Sequence, residues 1–132
     1  MKKIILAAFM AACGLQISAQ QNLFVAQDLE SAIVNKDNTV TFNFKAPDAQ
    51  KVQIAGDFAE KAEGQHIGGM VGAGLIDMTK NSEGIWTYTT KPLDSELYSY
   101  EFMVDGVPTI DPNNLYVYRD FATTSNVFIV GN

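Results

Sequence analysis

The alternation of apolar and polar residues with a period of two is the feature that most constrains the fold of this chain. In "TVTFNFKAP" it places Val40, Phe42 and Phe44 on one face, with polar residues between them. A β-strand with one face in a core shows this period, whereas a surface helix repeats about every 3.6 residues. The chain from Val40 onward is therefore predicted to consist mainly of strands.

The same pattern recurs in later segments that are separated by clusters of turn-forming residues. They are "KVQIAGDF" with Val52 and Ile54, a strand from Ile85 to Thr90, "LYSYEFMV", and a last strand from Asn126 to Val130. Short strands at regular spacing, with turns such as "NSEG" between them, are typical of an antiparallel sandwich and not of a βαβ fold. The predicted fold class is all-β.

The beginning of the sandwich is predicted from the only helix-like stretch, "LFVAQDLESAIV", Leu23 to Val34. This stretch lacks a strong N-terminal cap, so we do not assign a helix to it. Its last residues, Ala32 to Val34, are instead predicted to form a first strand. That strand would pair with Val40 to Phe44 through the turn Asn35 to Asn38.

The segment "LYSYEFMVDGVPTIDPNN" poses the question of whether its aromatic residues bind a ligand or pack in a core. Asp105-Gly106 supplies the positive φ of a tight hairpin turn, and Val107 to Ile110 is the predicted return strand. The side chains in the turn Asp111 to Asn114 can bond their own backbone. Core packing therefore accounts for the residues that share one face, namely Tyr98, Tyr100, Phe102 and Val104.

The N-terminus is predicted to be a secretory signal peptide, residues 1–19. Met1-Lys2-Lys3 is a short basic region, Ile4 to Ala12 is apolar but too short to span a bilayer, and Ile17-Ser18-Ala19 fits the pattern of a cleavage site before Gln20. The protein is then secreted or periplasmic. Cleavage before Cys13, in a sequence that loosely resembles a lipobox, would instead leave a lipid-anchored protein.

Removal of 19 of the 132 residues leaves 113, with no cysteine for a disulfide or a thiolate metal site. A chain of this length builds one core, so we predict a lead-in segment at 20–30 and a single domain at 31–132. Loss of Lys2 and Lys3 changes the net charge from −6 to −8. The remaining basic residues are scattered, which argues against nucleic acid as a partner.

Catalytic signatures are weak in this sequence, and we predict no catalytic residues, cofactor or metal. None of the serines lies in a Gly-x-Ser-x-Gly motif, and His66 is the only histidine. "GGMVGAG" is not followed by the lysine and helix of a phosphate loop, because Leu75 to Met78 resembles a strand. The segment between Phe58 and Leu75 is predicted to be a long flexible insertion. Asp105 and Asp111 fit turns better than a glycosidase pair.

Sugar binding is the remaining possibility, through aromatic rings that stack on pyranose faces and amides that bond hydroxyl groups. The candidates are Trp86, Tyr88, Tyr116 and Tyr118, with Asn113 and Asn114 in the adjacent turn. Core packing is the alternative for Trp86, which shares a strand face with Tyr88. Packing at the sheet edge is the alternative for the two other tyrosines.

Five segments in order also carry a resemblance to a known family: "VTFNFKAPDAQKVQIAGDF", "GIWTYTT", "LYSYEFMVDG", "IDPNN" and "RDFATTSNVFIVG". From Ser31 to Gly131 they resemble the early-set, immunoglobulin-like domain that is similar to family 48 carbohydrate-binding modules. The likeness is greatest to the N-terminal domain of secreted Bacteroidetes esterases of the feruloyl or acetyl-xylan type. It implies a sandwich of seven or eight strands, a noncatalytic accessory role beside an esterase domain, and a polysaccharide or oligosaccharide such as xylan as the partner.

The sequence departs from the glycogen-binding members of this family. They carry tryptophans after the Gly-Asp-Phe motif and after the Asp-Gly turn, where this chain has Ala59-Glu60-Lys61 and Val107-Pro108. Glu101 occupies the place of an expected basic residue. Binding of glycogen or starch is therefore the less favoured alternative. A second alternative is a structural module that docks on a catalytic domain, which an exposed apolar patch would favour.

Overall fold

A computed structural model describes residues 29–59, 61–67 and 70–131 of the protein. The regular structure of these residues consists of twelve β-strands and no helix. The signal peptide, the Cys13 anchor and the start of the helix-like stretch lie outside these residues. The strands are β1 (Ile33–Val34), β2 (Val40–Lys45), β3 (Val52–Gly56), β4 (Lys61–Ile67), β5 (Met70–Ala73), β6 (Ile76–Asp77), β7 (Thr79–Lys80), β8 (Ile85–Thr89), β9 (Leu97–Val104), β10 (Val107–Thr109), β11 (Val117–Arg119) and β12 (Thr124–Ile129).

Ten of these strands form two antiparallel sheets, which confirms the immunoglobulin-like β-sandwich. One sheet has the order β1-β2-β8-β7, and the other has the order β11-β12-β9-β3-β6, with β10 paired to β9. The predicted count of seven or eight strands is too low. Strands of two residues, such as β6 and β7, are too short to show a period and become visible only through their partners.

Two local predictions are confirmed by the backbone. In the first hairpin Ile33 pairs with Thr41 and Val34 with Val40, as the turn at 35–38 requires. In the second hairpin Val104 pairs with Val107 across Asp105 and Gly106, whose φ angles are 47° and 85°. Glycine adopts this left-handed conformation without strain, and aspartate tolerates it better than most residues.

The core lies between the two sheets and consists mostly of the residues that the alternation predicted. Val40, Phe42, Val52, Ile54 and Phe102 are fully buried. Aromatic rings meet across the layer, with centroids 4.7 Å apart for Phe42 and Tyr100 and 4.7 Å apart for Phe44 and Phe102. The tilted geometry of both pairs is the one that aromatic quadrupoles favour.

The predicted insertion between Phe58 and Leu75 contains two strands, β4 and β5. Its backbone forms an antiparallel hairpin in which His66 pairs with Val71 and Ile67 with Met70. His66 therefore lies in β4 and not in a loop. Two adjacent segments can satisfy each other's backbone hydrogen bonds even when glycines weaken their strand propensity.

The predicted strand at Leu75 to Met78 is shorter than predicted, and a second strand of the other sheet follows it directly. Ile76 and Asp77 pair with β3, whereas Thr79 and Lys80 pair with β8. Met78 is buried between them, and its N–H donates to Val52 O at 3.0 Å. The chain thus changes sheets at one buried residue, which alternation alone does not show.

Candidate functional site

Trp86 lies in the core and is only 7% exposed. Its indole N–H donates to Ala46 O at 2.9 Å, and Lys80 Nζ lies 5.4 Å from the ring centroid. Stacking on a sugar requires an open ring face. This placement therefore contradicts the assignment of Trp86 to a sugar-binding surface and agrees with the core-packing alternative.

Tyr116 and Tyr118 are 75% and 60% exposed at the edge of the larger sheet. Tyr118 pairs with Ser125 of β12, and Tyr116 O accepts a hydrogen bond from Val127 N at 3.0 Å. The two tyrosines are two residues apart on an extended backbone, so both rings lie on the outer face of this sheet. Within the described part of the chain, neither hydroxyl has a hydrogen-bond partner.

Tyr118 on β11 and Ser125 on β12 are opposite each other on the outer face. The pairing of β12 with β9 ends at Asn126 and Tyr100, one residue before Glu101, and alternation along β9 places Glu101 on the same face. This face therefore carries an aromatic ring, a hydroxyl and a carboxyl. Nothing in the sequence singles out Ser125, and Glu101 stands out there only as a departure from the family. Alternation predicts that Glu101 lies on the outer face but does not show which strands are its neighbours.

Partial burial raises the pKa of Glu101, because the carboxylate loses water on the sheet surface. The native state therefore binds this proton more tightly than the unfolded state. Its contribution to the free energy of unfolding falls as the pH rises above the unfolded pKa of about 4.3.

We expect Glu101→Gln to stabilise the protein at pH 7 and to lose this advantage as the pH falls below about 4, where the unfolded carboxyl is also protonated. Urea denaturation at the two pH values measures the difference. Glu83→Gln removes the same charge from an exposed turn and serves as the control. An equal gain in the control would attribute the effect to net charge and not to Glu101.

Asn114 is committed to the fold and not to a ligand. Its side-chain N–H groups donate to Tyr100 OH at 3.1 Å and to Val127 O at 3.0 Å, and its Oδ1 accepts from Tyr116 N at 2.9 Å. This contradicts its assignment as a sugar contact. Asn113 donates its backbone N–H to Asp111 Oδ1 at 2.9 Å, while its side-chain nitrogen is buried without a described partner.

A buried polar network holds the turn that precedes Tyr116. Tyr100 OH donates to Asp111 Oδ2 at 2.7 Å, and Asp111 N donates to Asn126 Oδ1 at 2.6 Å. Asn126 in turn donates to the backbone oxygens of Asp111 and Asn114 at 3.2 and 3.0 Å. Burial, and then the carboxylate of Asp111, raise the pKa of Tyr100, so its hydroxyl remains a donor.

The aspartates of the other motifs also serve the fold. Asp57 Oδ2 accepts from Ser99 N and Ser99 Oγ at 2.8 and 2.7 Å. Asp105 Oδ1 accepts from Gln50 N and Lys51 N at 3.0 and 2.8 Å. Since Asp105 and Asp111 are both occupied in this way, the two carboxyl groups have structural partners.

A groove of about 580 Å³ lies beside Tyr116, between the start of β1 and the end of β12. Most of its wall is apolar. The residues that contribute the wall include Val34, Leu97, Asn113, Leu115, Tyr116 and Ile129. The site therefore combines an exposed aromatic face with an adjoining apolar groove.

The described residues contain no group of three or more histidine, cysteine, aspartate or glutamate side chains that could hold a metal ion. In this part of the chain there is also no helix with the length and apolar character that crossing a membrane requires.

No family model matches the sequence, and no curated protein matches it. Solved structures do match. A pullulanase from group B Streptococcus in complex with maltotetraose has a TM-score of 0.56 and 17% identity, over 81% of this chain and 15% of that one. Pullulanases from Paenibacillus barengoltzii and Bacillus acidopullulyticus both have a TM-score of 0.50 and 19% identity, over 78% and 80% of this chain and 15% and 12% of theirs. This chain thus spans less than a sixth of each matched protein, and the likeness shows the fold.

Proposed function

We propose that this chain is a noncatalytic carbohydrate-recognition module whose outer face binds a polysaccharide through Tyr116 and Tyr118. The observation that carries the proposal is the exposure of these two rings on one face of a sheet edge. Aromatic rings that serve only the fold are buried, as those of Phe42 and Phe102 are. The hydroxyl of Ser125, opposite Tyr118, and the carboxyl of Glu101 on the same face of the sheet supply hydrogen-bonding groups.

The resemblance to the N-terminal domains of secreted esterases favours a plant polysaccharide such as xylan, and an exported protein that works beside an esterase domain. An α-glucan is the second candidate. It is supported by the fold shared with pullulanases, one of which was solved with maltotetraose. Of xylan and an α-glucan, xylan is favoured, because this chain lacks the two tryptophans that the glycogen-binding members of the family carry.

We expect Tyr116→Ala and Tyr118→Ala each to weaken binding to insoluble xylan by about tenfold, because a ring at the centre of a contact surface contributes more than about 1 kcal/mol. Both variants should remain folded, since these side chains are exposed. Pull-down isotherms measure the affinity, and thermal unfolding confirms the fold.

Val107→Ala is the matched control, because Val107 is 62% exposed on β10 of the same sheet and lies away from β11. The same assay on insoluble amylose tests the second candidate. Equal affinity of the tyrosine variants and the control would refute the role of the two rings. If the unmodified protein is retained on neither polysaccharide, the recognition function is removed and the docking module is left.

The docking module is supported by the groove beside Tyr116 and by the exposed side chains of Leu97 and Ile129, which face each other across β9 and β12. A catalytic domain with a complementary apolar surface would cover them. If the Leu97→Asp variant still binds polysaccharide but no longer associates with the esterase domain, the two surfaces bind different partners.

A further inference from the structure

The outer edge of the larger sheet is open along β11. Val127 N donates to Tyr116 O at 3.0 Å, and Asp120 N donates to Thr123 O at 3.1 Å. In an antiparallel ladder the bonded pairs alternate, so Tyr116, Tyr118 and Asp120 direct their backbone groups toward β12. The N–H and C=O groups of Val117 and Arg119 therefore point away from the sheet, and no described residue meets them.

The side chains along this edge are unusually apolar for exposed residues. Leu115 and Phe121 are 90% and 104% exposed, in addition to Val117 and the two tyrosines. Natural sheets protect open edges with charges, prolines or bulges. Here the extended stretch from Tyr116 to Asp120 carries one basic and one acidic residue and no proline. An edge of this kind is suited to the addition of another strand.

We propose that a second copy of this chain pairs with β11 in antiparallel orientation, about a two-fold axis at Tyr118. In this register Val117 of each copy is opposite Arg119 of the other, and both pairs exchange backbone hydrogen bonds. The outward groups of Val117 and Arg119 thereby find partners. The dimer extends the larger sheet of each copy into one continuous sheet.

The side chains favour this register over the one whose two-fold axis lies at Arg119. A two-fold axis at Arg119 would place two guanidinium groups directly opposite each other, which destabilises a strand pair. An axis at Tyr118 instead brings Leu115 of each copy toward Phe121 of the other copy. The charges of Arg119 and Asp120 cancel, so the edge itself carries no net charge.

Side chains at the edge itself add to the backbone contact. Leu115, Val117 and Phe121 are 90%, 50% and 104% exposed in the single chain, and the pairing covers part of each. The pairing also places the outer-face tyrosines of both copies side by side, a consequence that matters for glycan binding only if the proposed function holds.

Sedimentation of the full chain in the absence of glycan tests the pairing. We expect a concentration-dependent dimer. Val117→Lys should raise its dissociation constant at least about tenfold, because a lysine faces Arg119 at two symmetric positions. Val117→Glu, the matched variant, should preserve or tighten the dimer. A chain that is monomeric at every concentration overturns the proposal, and so do equal shifts by the two variants.

A cross-link tests the register itself, in a Cys13→Ser background that leaves no other thiol. Tyr118→Cys should form a disulfide between copies, because residues opposite each other at the axis have Cα atoms about 4.5–5.5 Å apart. Arg119→Cys should not, because its two copies are offset diagonally by about 7–8 Å. Cross-linking of the second variant alone, or of neither, rejects this register. A dimer that binds no polysaccharide leaves the inference standing and removes the proposed function.

Discussion

Replacing Phe102 by alanine is expected to lower the free energy of unfolding by about 3–5 kcal/mol. Phe102 is fully buried at the centre of β9, where its ring lies 4.7 Å from that of Phe44 and 5.7 Å from that of Tyr100. Removal of a buried aromatic ring loses its transfer free energy and leaves a cavity that the neighbours fill only in part. The loss is a large fraction of the stability of a small domain.

Urea denaturation monitored by tryptophan fluorescence measures this loss, since Trp86 is the only tryptophan. Ile129→Ala is the matched control, because Ile129 is an apolar residue of the same sheet that is 69% exposed on its outer face. The control should lie within about 0.5 kcal/mol of the unmodified protein. A Phe102→Ala variant that is as stable as the control would mean that the wrong face of β9 has been assigned to the core.

The second large effect is expected for Asn126→Ala, which should cost about 2–4 kcal/mol. Asn126 is fully buried, and its amide bonds both backbone groups of Asp111 and the backbone oxygen of Asn114. Alanine leaves the buried Asp111 N–H without this acceptor, and an unsatisfied buried group costs about 1–3 kcal/mol. Two carbonyl oxygens lose their donor at the same time.

The same variant should loosen the turn that leads to Tyr116. Hydrogen exchange of the amides of residues 113–116 is expected to accelerate more than that of β2, because the network fixes this turn against β12. Thr124→Ala, on the same strand, is the control for both measurements. If Asn126→Ala loses no more stability than Thr124→Ala, the network contributes nothing measurable to the fold.

Local alternation was sufficient to predict the sandwich and most of its core. Each of Val40, Phe42 and Phe44 follows a polar residue, so a single strand shows which side chains share a face, whatever its neighbours are. The turn at Asp105-Gly106 could be predicted in the same way, because positive φ is a property of these two residues. These features depend on residues that are close in sequence.

The tertiary structure decided which strands are neighbours and in which register they pair. Trp86 was a candidate for sugar binding until the pairing of β8 with β2 placed it against Ala46. Tyr118 and Glu101 share a sheet because β12 lies between β11 and β9, where Ser125 pairs with Tyr118 and Asn126 pairs with Tyr100. A period of two describes one strand at a time. The order and register of strands are set by packing and hydrogen bonds between distant segments, and these determined where the candidate site lies.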